Sequence, residues 1–154
     1  MKKKYQPEIC EHCGQTKTYE LPLDKGSAKI VISIVSAISK KGVNEIHPTR
    51  EMDLSGSKKW FTTNLSRPRF HGIIAYVNGK SGYYCLTRKA GKFLRGENIP
   101  RCAIISKVTG KQEGYLPEMT TISKLLKEPI MWSGNEKNII ELLDPIEVGQ
   151  TQMF

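Results

Sequence analysis

Ala28, Val31, Val35 and Ile38, with Ile30, Ile34 and Ala37 beside them, recur at helical spacing, while Lys29, Ser33, Ser36 and Lys40 take the other side. This pattern predicts a buried first helix of about four turns. Its ends are also marked. Asp24 and Ser27 are candidate N-caps, and Gly42 is a natural residue for the position just past the last turn. A chain of 154 residues is long enough for one domain with a proper core around that helix, plus appendages. Apolar residues at 38% with charged residues at 25% are near globular values, which argues against wholesale disorder and a fibrous class.

After Gly42, the piece Val43–Pro48 carries a turn into a second, shorter element, and Leu54-Ser55-Gly56-Ser57 offers another turn. From Lys58 to Ile74, Trp60, Phe61, Leu65, Phe70, Ile73 and Ile74 supply one apolar face and Lys58, Lys59, Arg67, Arg69 and His71 much of the rest. Pro68 argues against an unbroken helix, because it lacks the N–H and clashes one turn back. The expectation is therefore an N-cap at Thr63 or Asn64 and a helix running to about Ala75. Ala75-Tyr76-Val77 and Tyr83–Leu86 flank the link Asn78-Gly79-Lys80-Ser81-Gly82, which has hairpin chemistry. Thr87 is placed to cap a helix over Arg88–Leu94 that stops at Gly96, and Ile99–Ile105 reads as a strand. The C-terminal part holds short apolar pieces at Ile122–Leu126, Ile130–Trp132 and Ile139–Leu143.

Two runs carry a resemblance. Asn64-Leu65-Ser66-Arg67-Pro68-Arg69-Phe70-His71-Gly72-Ile73-Ile74 is followed, one hairpin later, by Tyr83-Tyr84-Cys85-Leu86-Thr87-Arg88-Lys89-Ala90-Gly91-Lys92-Phe93-Leu94. The order resembles winged helix-turn-helix DNA-binding proteins of bacterial and phage type: a recognition helix ending at a glycine and two aliphatics, a wing, then a Leu-Thr capping a helix that closes on Phe-Leu. It covers roughly residues 25–106, and Pro68 departs from it where a helix former is expected. The resemblance implies an α+β fold, a winged helix with a short antiparallel hairpin. The predicted organisation is a basic arm over 1–23, the winged helix over 24–106 and a C-terminal extension over 107–154.

The formal net charge is +9, and because the stretch from Lys127 onward holds five acids against two bases, residues 1–126 carry +12. Such a field favours polyanions. The acidic extension is expected either to mask that basic body, to bind a protein partner or a second copy, or to pack on the core. No apolar stretch reaches the ~20 residues a bilayer span needs, and the lysine-rich start lacks a signal-peptide core, so the expected location is the cytoplasm. Thiols stay reduced there, and the four cysteines read as metal ligands or buried thiols rather than a disulfide framework.

Cys10-Glu11-His12-Cys13-Gly14 has the shape of one half of a zinc ribbon: two thiolates reach one tetrahedral ion and a glycine allows the turn behind them. Closing a zinc site requires two of Cys85, Cys102, His47 and His71, or a partner chain, with Cys85 and Cys102 preferred because their strands could be neighbours. Redox use of the pair is disfavoured, since no βαβ pattern surrounds it. No phosphate-cradling glycine loop, metal-binding His-Glu helix or nucleophile elbow occurs, and the carboxylates are scattered, so a binder is expected rather than an enzyme. The resemblance implies that the exposed face of 63–75 meets duplex DNA, with the wing at 78–82 beside it. Arg67 and Arg69 are the candidates for base edges, and Asn64, Ser66 and His71 for base or phosphate contacts. Lys58, Lys59, Lys80, Arg88 and Lys89 are expected to serve phosphates. The function expected is regulation of transcription or replication, with a protein-docking module or a zinc-ribbon-like RNA binder as the alternatives.

Overall fold

A computed structural model describes residues 17–54 and 56–143 of the chain. The periodic apolar segment forms α1 (Lys25–Lys41). Its N-cap is Asp24, whose Oδ1 accepts from the Ser27 N–H at 2.8 Å, and its C-cap Gly42 takes φ 65° and donates to Ile38 O. Lys40 and Lys41 lie in the last turn, where the helix dipole favours cations. Ile30, Val31, Ile34 and Val35 are fully buried, so the helix is covered on more than one side. Each such side chain contributes roughly 1.5–3 kcal/mol by leaving water.

Following α1 come β2 (Glu45–Ile46), α2 (Pro48–Glu51), α3 (Lys58–Asn64), α4 (Ser66–Phe70), β3 (Ile74–Val77) and β4 (Lys80–Leu86). The three strands make an antiparallel sheet in the order β2-β4-β3, with Ile46 opposite Tyr84 and Ile74 opposite Leu86. The single helix expected over 63–75 is replaced by α3 and α4. Pro68 has no N–H for the Asn64 carbonyl, so the ladder breaks at Leu65, while Leu65 itself stays in the right-handed helical region at φ −60° and ψ −30°. The helix ends earlier than expected because Gly72 is left-handed at φ 75°. There the Ile73 N–H bonds Pro68 O at 3.0 Å and the Gly72 N–H bonds Arg69 O at 2.9 Å, a Schellman closure that turns Ile73 and Ile74 into the sheet. The hairpin link is also tighter than expected: Val77 pairs with Lys80, so only Asn78 and Gly79 form the turn.

α5 (Arg88–Leu94) is capped by Thr87, which accepts from the Ala90 N–H. The expected strand over 99–105 is divided into β5 (Ile99–Pro100) and β6 (Cys102–Ser106). β6 is the centre of a second antiparallel sheet, β1-β6-β7, in which β1 is Thr18–Pro22 and β7 is Gln112–Tyr115. β5 pairs with β8 (Met119–Thr120). The α+β class is thus a set of helices around α1 with small antiparallel sheets.

The described part of the C-terminal extension packs into the core. In α6 (Ile122–Leu126) Ile122 and Leu126 are buried, as are Ile140 in α7 (Gly134–Leu142) and Leu143 just after it. A capping box at Ser133 and Glu136 starts α7. α7 lies so close to α5 that a Cβ at Gly91 would meet Leu143 Cβ at 2.8 Å. The boundary expected at residue 106 is therefore not a boundary of packing, and neither is the one at 23, since β1 pairs along its whole length with β6 and Leu23 is in the core. Acidic balance alone said nothing of the isoleucines and leucines that anchor α6 and α7.

Candidate nucleic-acid interface

Phe61, Leu65 and Pro68 are buried, and their spacing of four and three sets the inner face of α3 and α4. Lys58, Lys59 and Thr63 are left exposed, and Trp60 keeps 45% of its surface in solvent. Asn64 is half-buried and turns back, its Nδ2 donating to Trp60 O at 2.8 Å. Ser66 is half-buried on the next turn.

Arg69 connects this helical surface to the hairpin. Its guanidinium lies 4.5 Å from the Phe70 ring centroid and 4.8 Å from that of Tyr76 in β3. Tyr76 is 57% exposed and pairs across the sheet with Tyr84, ring centroids 5.2 Å apart. Burial, then the hydrogen bond with Tyr76, pushes the Tyr84 phenol up to about 12. Beyond Tyr76 is the Asn78-Gly79 turn, and Lys80 on the returning strand forms an ion pair with Glu45 and lies 5.3 Å from the Tyr83 ring centroid. Hydrogen bonding to Glu45 raises the Lys80 ammonium. The helix surface and the hairpin are therefore continuous through Arg69 and Tyr76.

Several residues expected on that surface are occupied inside the molecule. Arg67 Nη1 donates to Pro22 O, and its Nε is 3.7 Å from Asp24 Oδ2, so it ties α4 to the start of α1. His71, expected to contact bases or phosphate, is completely buried, with Nε2 at 2.6 Å from Leu21 O. Desolvation lowers its pKa to about 4 against the upward pull of that carbonyl, and the nearby charges of Lys89 and Arg67 add to the lowering. Lys89, expected to serve phosphate, instead donates to His71 O at 2.8 Å and lies 3.9 Å from the Tyr115 ring centroid, with its pKa lowered by burial to about 8. Tyr115 donates its hydroxyl to the same carbonyl at 3.1 Å. Arg88 is half-buried and its Nε is shielded from solvent. The Schellman reversal at Gly72 follows directly on His71, whose ring bonds Leu21 of β1.

The pair preferred for closing a zinc site lies on two different sheets. Cys85 is on β4 opposite Glu45 and Ala75, whereas Cys102 is on β6 opposite Pro22, in the other sheet. Burial raises both thiols, which opposes the thiolate a metal needs. His47, the further candidate, has its Nδ1 within hydrogen-bond distance, 2.9 Å, of Thr49 Oγ1 and meets the Tyr83 ring edge to face. Among the described residues no group of three or more His, Cys, Asp or Glu side chains could hold a metal ion. Cys10 and Cys13 lie outside the described residues. No described helix is long and apolar enough to cross a membrane.

Comparison with known protein families, with characterised proteins and with solved structures gave no match. The surface is therefore judged on its own chemistry. Sequence reasoning missed Tyr76 and Phe70, the two rings that hold Arg69. The adjacency of Arg69 and Phe70 was visible, but bringing Tyr76 to the same guanidinium requires the chain reversal between α4 and β3.

Proposed function

We propose that this protein binds duplex DNA through a winged helix-turn-helix, with the exposed side of α3 and α4 as the recognition surface and the β3–β4 hairpin as the wing. The observation that carries this reading is the bridge made by Arg69, which joins α4, the helix that follows the Lys58- and Lys59-bearing α3, to the hairpin bearing Lys80. Support also comes from the order α1, β2, α2, α3–α4, β3, β4, from the sheet order β2-β4-β3, and from a net charge of +9. In this reading Lys58, Lys59 and Lys80 contact phosphates, Ser66 and Asn64 lie along the groove, and the N–H edge of Arg69, held in plane by two rings, meets a guanine. The role is regulation of transcription or replication in the cytoplasm, with zinc held by Cys10 and Cys13.

Titrating salt against affinity for random duplex fragments tests the reading. Three lysine–phosphate contacts give a slope of log K against log salt of about −2.7. Changing Lys58 and Lys59 together to Ala reduces that slope by about two, and Arg69→Ala costs about 1–3 kcal/mol on a preferred site and flattens the preference. A wild-type protein that binds no duplex at low salt overturns the reading in favour of a protein-docking module.

A further inference from the structure

Tyr76 is the one member of the Phe70–Arg69–Tyr76–Tyr84 stack that stays largely in solvent: 57% of it is exposed, while Phe70, Arg69 and Tyr84 are half-buried. Arg69 covers one side of its ring at 4.8 Å, and Tyr84 flanks it across the sheet. More than half of the residue is open to solvent, with a cation packed against its ring. Exposing a ring costs hydration free energy, and two neighbours already hold the ring in place. A flat π-surface backed by a guanidinium is what an unpaired nucleobase stacks on, and the cation draws the adjoining phosphate. The nearest carboxylate on this sheet, Glu45, is already matched by Lys80, so the local field stays favourable to an anion.

From this geometry we propose that Tyr76, backed by Arg69, is a stacking platform for an unpaired base, so that the surface takes single-stranded or locally opened nucleic acid in addition to duplex. The proposal rests on the nucleic-acid reading above and goes beyond it, since a duplex keeps its bases stacked on one another and offers no ring to Tyr76. It also gives the hairpin a function other than phosphate contact.

The test compares two labelled strands of equal length, one of thymidines and one with an abasic sugar at every position, so that phosphate number is the same. Fluorescence anisotropy with the full chain should show the base-bearing strand bound about five- to 150-fold more tightly. Tyr76→Leu, which keeps an apolar side chain but no ring, should reduce that ratio to near one, and Tyr76→Phe should retain it. Equal affinity of the wild-type protein for both strands overturns the proposal, as does a base preference that survives Tyr76→Leu at an unchanged melting temperature. Should the wild-type protein bind duplex with a steep salt slope yet ignore the bases of the single strand, the stacking platform fails alone. Absence of binding to every strand and duplex removes the nucleic-acid reading with it.

Discussion

Acidifying this protein should weaken it through one residue, His71. The imidazole is fully buried, its Nε2 bonds Leu21 O at 2.6 Å, and its Nδ1 has no partner, so it is held as the neutral tautomer with the proton on Nε2. Its pKa is lowered from 6.5 to about 4, by desolvation first and then by the charges of Lys89 and Arg67. Because the folded pKa lies below the unfolded one, the unfolded chain binds more protons between those values. The stability due to the neutral ring is fully present above about pH 6.5, declines as pH falls below it, and is lost by about pH 4. At about 1.4 kcal/mol for each pKa unit, the loss by pH 4.5 is about 2.5 kcal/mol, a large share of a typical domain stability of roughly 5–15 kcal/mol. Urea unfolding at about pH 7 and about pH 4.5 measures it, with His71→Gln as the control, since its amide reaches toward Leu21 O and does not titrate. The wild-type protein should lose about 2.5 kcal/mol more than the variant over this interval. Equal losses would show that His71 protonates in the folded state at no cost, and the account of its burial would be wrong.

Truncation after Lys127 removes Ile140, Leu143 and the Trp132 Nε1 that donates to Leu94 O at 3.1 Å, so it should cost roughly 3–6 kcal/mol and lower the thermal midpoint seen by circular dichroism by roughly 6–24 °C. Gly82→Ala should destabilise by about 1–3 kcal/mol in a denaturant series, because Gly82 has φ 80° and a Cβ there would lie 2.4 Å from His47 Nε2. Adding His47→Ala should recover only the steric part. Glu45→Gln frees Lys80 from its ion pair and should tighten duplex binding a few-fold at low salt, an effect that must fade at high salt if it is electrostatic. Elemental analysis of protein purified without added metal should find close to one zinc per chain if Cys10 and Cys13 are ligands, and less than about a tenth, with all thiols reactive, removes the metal from the reading.

The features legible in the sequence are those decided within about four residues. Asp24 caps α1 by bonding the N–H three residues on, and Thr87 caps α5 in the same way. The apolar period of α1 needs no partner to be recognised, and Pro68 breaks its helix whatever surrounds it. The α+β class and the position of the hairpin follow from such local signals. Where the local signals misjudged burial, the deciding contacts were distant. Arg67, His71 and Lys89 sit in a basic run that reads as a solvated face, yet each is drawn inward by carbonyls or charges that the chain brings from elsewhere, Pro22 and Asp24 for Arg67 and Leu21 for His71. Packing across residue 106 was hidden for a similar reason: net charge is a sum over side chains in water, whereas Ile122, Leu126, Ile140 and Leu143 act by covering α1 and α5. Helix caps and periodicity are properties of a segment. The burial of a polar side chain is settled only when a partner dozens of residues away arrives to offset its desolvation, and that arrival is decided by the tertiary structure.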